Sequence, residues 1–212
     1  MPLSLEFAVA PKTLPGDALR ISTEAWFNAV LIVAIAHQTY VWVMWRSELC
    51  WSWVSRNFSF LLYRVGFSIL FLLRFAFVIL LAIADTGSLF EPTALSGLIA
   101  GLLFLPAAYT LYSVARYFGF SRVTGADHFD PEYRTKPFVR KGIFRLIPNA
   151  MYTLAMLLFW CLAIAVGSEA TLAVAVYYHL IIWVHYFCTE RPDMDVIYGD
   201  ALETLKSGTP CN

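Results

Sequence analysis

Two apolar stretches of the sequence end in residues whose types and spacing could bind a ligand. Asn149 and Tyr152 open one stretch, and Glu190 closes the next one. Glu190 falls at the carboxyl end of a predicted helix, where the helix dipole disfavours an anion by about 0.3–1 kcal/mol. A residue that breaks a local rule is a candidate for function. The structural alternative is an interfacial carboxylate that pairs with a basic neighbour such as Arg191.

Both stretches also carry stripes of aromatic and polar residues at helical spacing. The two stripes consist of Asn149, Tyr152, Met156 and Trp160, and of His179, Trp183, Tyr186 and Glu190. Facing each other, they would form an aromatic-walled pocket with polar groups at its mouth. Aromatic faces and a carboxylate suit a cation, because the ring quadrupole attracts positive charge. Ordinary helix packing is the alternative explanation of both stripes.

Charged groups elsewhere offer two further candidates. Arg74 lies near the middle of an apolar stretch, where a charge costs about 2.5–3.5 kcal/mol on insertion scales. We expect it to face the bundle interior and to bind either a structural partner or a ligand phosphate. The segment 127–132 contains Asp127, His128, Asp130 and Glu132, but turn formation explains most of it, and no metal site is predicted.

The elements that must position these residues are predicted to be membrane-spanning helices. The 212 residues are 59% hydrophobic and 14% charged, a composition typical of membrane proteins. Five stretches meet the need for roughly 20 apolar residues, namely residues 25–45, 63–84, 94–118, 146–166 and 168–188. Since only a short turn at Gly167 joins the last two stretches, Asn149 and Glu190 are predicted neighbours.

Basic residues predict the orientation of these spans. The segment 116–145 holds seven lysines and arginines, whereas the connection between the second and third spans has none. By the positive-inside rule, the basic loop and the tail face the cytosol, and the N-terminus lies outside. We expect the first span to serve as the insertion signal, without a cleaved signal peptide. Balanced charge, 15 basic against 15 acidic residues, argues against a nucleic-acid partner.

The predicted fold class is therefore an all-α, multi-pass integral membrane protein. It has about five transmembrane helices, a C-terminal helical hairpin and a cytosolic amphipathic tail. We divide the chain into a three-span membrane region (1–118), a basic cytosolic loop (119–145), and a helical hairpin and tail (146–212) that carry the proposed ligand site.

From Gly142 onward, the sequence resembles the membrane-embedded methyltransferases typified by phosphatidylethanolamine N-methyltransferase and isoprenylcysteine carboxyl methyltransferase. The matches fall in short blocks: Gly142, Ile143 and Phe144; Asn149, Met151 and Tyr152; Glu190 and Pro192; and Ile197 and Tyr198. The sequence departs from the family pattern in two places. Arg191 stands where the second glutamate would be, and Gly97 and Gly101 replace a Gly-x-Gly motif.

The resemblance implies that S-adenosyl-L-methionine binds between the last two spans and the tail. The residues implied for cofactor binding are Gly142, Asn149, Tyr152, His179, Trp183, Tyr186 and Glu190. The methyl group would go to a lipid or lipid-soluble acceptor that enters from the membrane, with the active site facing the cytosol. The forms that the Asn149–Tyr152 and Glu190–Pro192 motifs take in this sequence favour, as the acceptor, a phospholipid amine of the phosphatidylethanolamine type.

An amine acceptor must lose a proton, so a nearby base would be useful. His128, His185 and Asp193 are the candidates, and the sequence does not choose between them. Arg74, Arg140 and Arg145 are the candidates for binding the substrate phosphate. The alternative functions are a prenyl-cysteine carboxyl or small-thiol methyltransferase and a non-catalytic membrane adaptor.

Overall fold

The computed structural model describes residues 21–207, with side chains described as far as Gly199. Within this range the protein is all-α and contains no strand. The predicted location of the N-terminus concerns residues 1–20, which lie outside the described residues, as do residues 208–212 of the tail.

Six helices of ten or more residues form the described part of the fold. They are α1 (Thr23–Trp51), α2 (Phe60–Ala84), α3 (Ala94–Ser113), α4 (Leu157–Val166), α5 (Glu169–His185) and α6 (Arg191–Ser207). Two π-helical turns adjoin them: Val114–Phe118 extends α3, and Tyr186–Glu190 joins α5 to α6. Short helical turns occupy the connection between α3 and α4, including Ala126–Phe129 and Gly142–Arg145.

Four helical segments are long and apolar enough to cross a membrane. Their bounds are Thr23–Trp51, Phe60–Ala84, Ala94–Phe118 and Glu169–Gly199. The fourth predicted span is shorter than expected: Ala150–Val166 has 17 residues and is interrupted between Thr153 and Leu157. Pro148 keeps the chain before it out of a regular helix, because proline disfavours the α conformation of the preceding residue. The all-α membrane class is confirmed, with four full-length spans and one shorter apolar helix.

The helix starts follow directly from the local sequence. Ser22, Ser59, Thr93 and Ser168 each precede a helix, and each side-chain oxygen accepts a hydrogen bond from a backbone N–H in the first turn. Such caps satisfy donors that have no partner within the helix. Gly167, at φ +61°, joins α4 to α5, and a Cβ there would overlap the backbone carbonyl of Phe90. Only glycine fits this turn, which makes the hairpin tight.

The helices pack around an apolar core that brings the two ends of the hairpin together. α1 packs along α2, α3 packs along α4, and α5 contacts α1, α2 and α4. At one end of the bundle, the ring of Tyr152 lies 6.0 Å from that of Trp183 and 5.4 Å from that of Tyr186. The beginning of the fourth predicted span therefore adjoins the end of the fifth.

A buried carboxylate connects two helices at the opposite end of the bundle. One oxygen of Asp85, just after α2, accepts hydrogen bonds from Ser88 Oγ at 2.6 Å, Ser168 Oγ at 2.7 Å and the Ala170 N–H at 3.0 Å. Asp85 thus joins the end of α2 to the start of α5. Its donors are all neutral, as expected of a structural carboxylate held by hydroxyl and backbone groups.

Candidate functional site

A cavity of about 230 Å³ lies inside the bundle, between the membrane helices and the short helices of the loop. Its polar lining includes Asp127 and His128 from the loop, His185 at the end of α5, and Glu190 at the end of the π-helical turn that follows α5. Further along the helices, its lining is aromatic, with Phe67, Phe71, Phe75 and Phe159, and includes Arg74 and His37. The cavity therefore combines ionisable groups near the loop with an apolar wall within the membrane region.

His128 is the centre of a buried polar cluster at the loop end of the cavity. Its Nε2 atom lies 3.1 Å from Asp193 Oδ2, and the other Asp193 oxygen forms an ion pair with Arg46 Nη1 at 2.8 Å. The side chains of His128 and Asp193 are fully buried, whereas that of Arg46 is 31% exposed. Three elements meet here, because Arg46 belongs to α1, His128 to the loop and Asp193 to α6.

The Trp45 ring packs against the imidazoles of His128 and His185. Its ring stacks on that of His128 at 4.2 Å between centroids and lies 5.4 Å from that of His185. The indole N–H donates to the Tyr63 hydroxyl at 2.8 Å, which fixes the plane of the ring. Gly125, at φ +75°, passes so close to this ring that any Cβ would overlap it. The loop can therefore bring His128 over Trp45 only with glycine at position 125.

A second set of contacts holds the tail against the loop. The Tyr198 hydroxyl on α6 donates to Asp127 Oδ2 at 2.5 Å, while Asp127 Oδ1 has no hydrogen-bond partner among the described residues. Arg134 donates to the carbonyls of Asp127 and His128 at 3.0 and 3.1 Å. These contacts orient the loop so that Asp127 and His128 both line the cavity.

The candidate bases lie close together, but in different environments. His128 and His185 line the cavity, whereas Asp193 is fully buried behind His128. Because the carboxylate of Asp193 accepts from His128 Nε2, it fixes the tautomer of the imidazole and leaves a lone pair on Nδ1. This arrangement suits His128 as a proton acceptor and Asp193 as the residue that positions it.

The predicted cofactor stripe divides between two faces of its helix. Glu190 lines the cavity, whereas His179, Trp183 and Tyr186 do not; His179 instead accepts a hydrogen bond from Trp160 Nε1 at 3.2 Å. The regular stripe assumed an uninterrupted α-helix, but the turn Tyr186–Glu190 is π-helical and holds an extra residue. This turn rotates Glu190 away from the aromatic face, and π-helical turns of this kind occur frequently at functional sites.

The other predicted site residues are also distributed between the cavity and its surroundings. Tyr152 and Arg74 line the cavity, whereas Asn149 is half-buried and precedes the short helix Ala150–Thr153 without a side-chain cap bond. Gly142, at φ +59°, begins the turn Gly142–Arg145 against Ser113 and Tyr117. Arg140 and Arg145 are exposed and outside the cavity lining.

Several cavity residues were not singled out as site residues by the sequence analysis. They are His37, Trp45 and Asp127; Arg46, which was not singled out either, is outside the cavity lining and contacts the site through Asp193. His37 could have been found, because a polar residue within an apolar stretch is a functional candidate. Arg46 carries no such signal, since an arginine at the end of a span is explained by membrane orientation alone.

The fold and the cavity define an all-α membrane protein with an ionisable site enclosed by its helices. Comparison with known families makes this class more specific: the phospholipid methyltransferase model matches residues 95–201, just over half of the chain. The chain therefore belongs to the phospholipid methyltransferase family. This match confirms the resemblance found from the motifs, and its range includes the loop, the hairpin and most of α6.

Curated relatives agree with the family match over limited segments. A phosphatidylethanolamine N-methyltransferase of Candida albicans is 30% identical over 108 residues, 49% of this chain and 11% of the relative. A protein of the same name from Lodderomyces elongisporus is 29% identical over 75 residues, 34% of this chain and 8% of the relative. The chain thus spans about a tenth of the length of these relatives. No solved structure matches it significantly.

Proposed function

We propose that the chain transfers a methyl group from S-adenosyl-L-methionine to the amine of a membrane phospholipid of the phosphatidylethanolamine type. The main support for this proposal is the cavity, which has carboxylates and imidazoles at one end and an apolar wall that suits a lipid at the other. Membership of the phospholipid methyltransferase family and the names of the matched relatives support the same reaction.

The residues at the loop end fit a cationic methyl donor. Glu190 lines the cavity without an ion-pair partner among the described residues, and Asp127 has one oxygen without a hydrogen bond. Opposite charges attract strongly where water is excluded, and the rings of Trp45 and Tyr152 add faces that attract cations. We assign donor binding to these four residues. When bound, S-adenosyl-L-methionine supplies a methyl group activated by its positively charged sulfur.

His128 is the base that the geometry favours. An ammonium group has no lone pair, so the acceptor must lose one proton before its nitrogen can form a bond to carbon. We assign this proton to His128 Nδ1, because Asp193 occupies Nε2 and stabilises the imidazolium that results. His185 also lines the cavity, forms no ion pair with a carboxylate of the described residues and is the second choice.

The loop end of the cavity is proposed to face the cytosol. The basic loop supports this orientation through the positive-inside rule. Single cysteines at Glu132, in the loop, and at Glu91, in the connection before α3, test it because both positions are exposed. We expect a membrane-impermeant thiol reagent to label position 132 from the cytosol and position 91 from the opposite side. Labelling of both from one side would contradict the orientation.

Transfer of a labelled methyl group tests the function itself. The purified protein is placed in bilayers that contain phosphatidylethanolamine and is supplied with donor labelled at the methyl group. We expect label in the amine headgroup of the lipid. Base-labile label on a prenylated cysteine peptide, or label on a small thiol, would replace the lipid acceptor with one of the alternatives. Donor binding without transfer to any acceptor would contradict the enzyme assignment.

A further inference from the structure

Arg74 is a buried cation without a matching anion. It lies in the middle of α2 with 6% of its surface exposed, and it lines the membrane part of the cavity. Among the described residues, no carboxylate forms an ion pair with it. Its neighbours are neutral: Nη1 is 3.2 Å from His37 Nδ1, and the guanidinium carbon is 4.2 Å from the centre of the Tyr178 ring.

The proton positions in this cluster follow from the chemistry of arginine. A guanidinium group only donates hydrogen bonds, so His37 accepts through the lone pair of Nδ1. The proton of the neutral imidazole therefore lies on Nε2, which has no acceptor among residues 21–199. Arg74 Nε and the amide nitrogen of Gln38 also lack acceptors within this part of the chain. Three residues that line the same cavity thus present N–H donors that have no acceptor among the described residues.

Packing alone does not explain this arrangement. The Tyr178 ring attracts the face of the guanidinium, but hydrogen-bond donors lie at its edge and need acceptors in the same plane. Buried polar groups are nearly always hydrogen-bonded, and buried charges are nearly always paired, because desolvation is costly. Donors collected beside a cavity therefore indicate a ligand that brings negatively charged oxygen atoms.

We infer that Arg74, His37 and Gln38 form a binding site for an oxyanion group of a ligand in the cavity. Two ligands of the proposed reaction carry such a group: the phosphodiester of the acceptor lipid and the carboxylate of the methyl donor. The identity of these ligands rests on the proposed function, whereas the anion preference rests on the three donors. The site is distinct from the carboxylates and imidazoles at the loop end of the cavity.

Binding measurements on matched variants test the site without requiring turnover. Arg74→Gln removes the charge, Arg74→Lys keeps it but loses the planar donor geometry, and Arg56→Gln is the control on an exposed arginine outside the cavity. Calorimetry in detergent compares S-adenosylhomocysteine with 5′-methylthioadenosine, which lacks the carboxylate. Competition assays compare short-chain phosphatidylethanolamine with a long-chain alkylamine, which lacks the phosphate.

We expect Arg74→Gln to weaken binding of one anion-bearing probe by at least about tenfold, as loss of a charged hydrogen-bond partner does. Selective weakening of S-adenosylhomocysteine identifies the donor carboxylate, and selective weakening of the phospholipid identifies the phosphodiester. The matching probe without the anion, and all probes with Arg56→Gln, should bind as to the wild type.

If Arg74→Gln binds both anionic probes as tightly as the wild type does, the inference is wrong. Methyl transfer by the same variant would still leave the proposed function intact. Absence of methyl transfer by the wild type would instead remove the proposed function. If Arg74→Gln does not fold, Arg74→Lys carries the test, with the same selective loss expected and wild-type affinity for both anionic probes as the contradicting result.

Discussion

Two buried carboxylates at opposite ends of the bundle have very different surroundings. Asp85 receives three hydrogen bonds from neutral hydroxyl and backbone groups, and it fastens α2 to the hairpin. Asp193 binds an arginine and a histidine, and that histidine lines a cavity. Near Asp193, His128 Nδ1 and Asp127 Oδ1 have no hydrogen-bond partner among the described residues.

The difference lies in what each end leaves unsatisfied. At the Asp85 end the polar groups form hydrogen bonds with one another, and these bonds contribute to the stability of the fold. At the Asp193 end, polar atoms beside the cavity remain without partners and are available to a ligand. Substitutions at the two ends should therefore separate stability from activity.

Asp193→Asn should have the largest effect on activity. An asparagine side chain cannot hold His128 in the required tautomer or stabilise its imidazolium, so we expect methyl transfer at saturating donor to fall by about a hundredfold or more. The matched control is Asp195→Asn, an exposed position on the same helix. Equal transfer rates for Asp193→Asn and the wild type would show that the Asp193–His128 pair has no part in catalysis.

Asp85→Ala should chiefly lower stability. It leaves the buried N–H of Ala170 without its acceptor and removes the carboxylate that Ser88 and Ser168 contact, a loss of about 1–3 kcal/mol in the free energy of unfolding. Denaturant unfolding in detergent measures it, with the exposed Glu91→Ala in the neighbouring connection as control. Affinity for S-adenosylhomocysteine should not change. A loss of affinity without a loss of stability would contradict the structural role of Asp85.

Tyr198→Phe should have a smaller and local effect. It removes the hydroxyl that donates to Asp127 and thereby loosens α6 from the loop by about 0.5–1.5 kcal/mol. Hydrogen exchange should become faster in Arg191–Ser207, whereas Tyr109→Phe, at an exposed position without a side-chain hydrogen bond among the described contacts, should leave it unchanged. Identical exchange in both variants would mean that this contact does not hold the tail.

Much of the fold could be predicted from the sequence because its signals are local. Apolar length located the spans, and the caps at Ser22 and Ser168 lie within a few residues of the helices they begin. The interruption after Thr153 was not predicted, because apolar composition does not report backbone geometry. The short turn at Gly167 predicted that the start of the fourth span lies beside the end of the fifth, and the contact between the rings of Tyr152 and Tyr186 agrees with this.

The site could be predicted only in part, because its members come from distant segments. Glu190 was found through its unfavourable place at a helix end, but the π-helical turn that sets its direction has no clear sequence signature. The pairing of His128 with Asp193 spans 65 positions and depends on how the loop folds over Trp45. Such contacts need the three-dimensional arrangement of α1, the loop and α6.

The central claim is that the loop end of the cavity binds the cationic methyl donor through Glu190. Calorimetry with S-adenosyl-L-methionine, which carries the positive sulfur, can compare Glu190→Gln with Glu169→Gln, an exposed carboxylate at the other end of the same helical segment. We expect Glu190→Gln to weaken binding by about tenfold, as loss of a charged hydrogen-bond acceptor does, and Glu169→Gln to have no effect. Equal affinities for both variants and the wild type would contradict the claim.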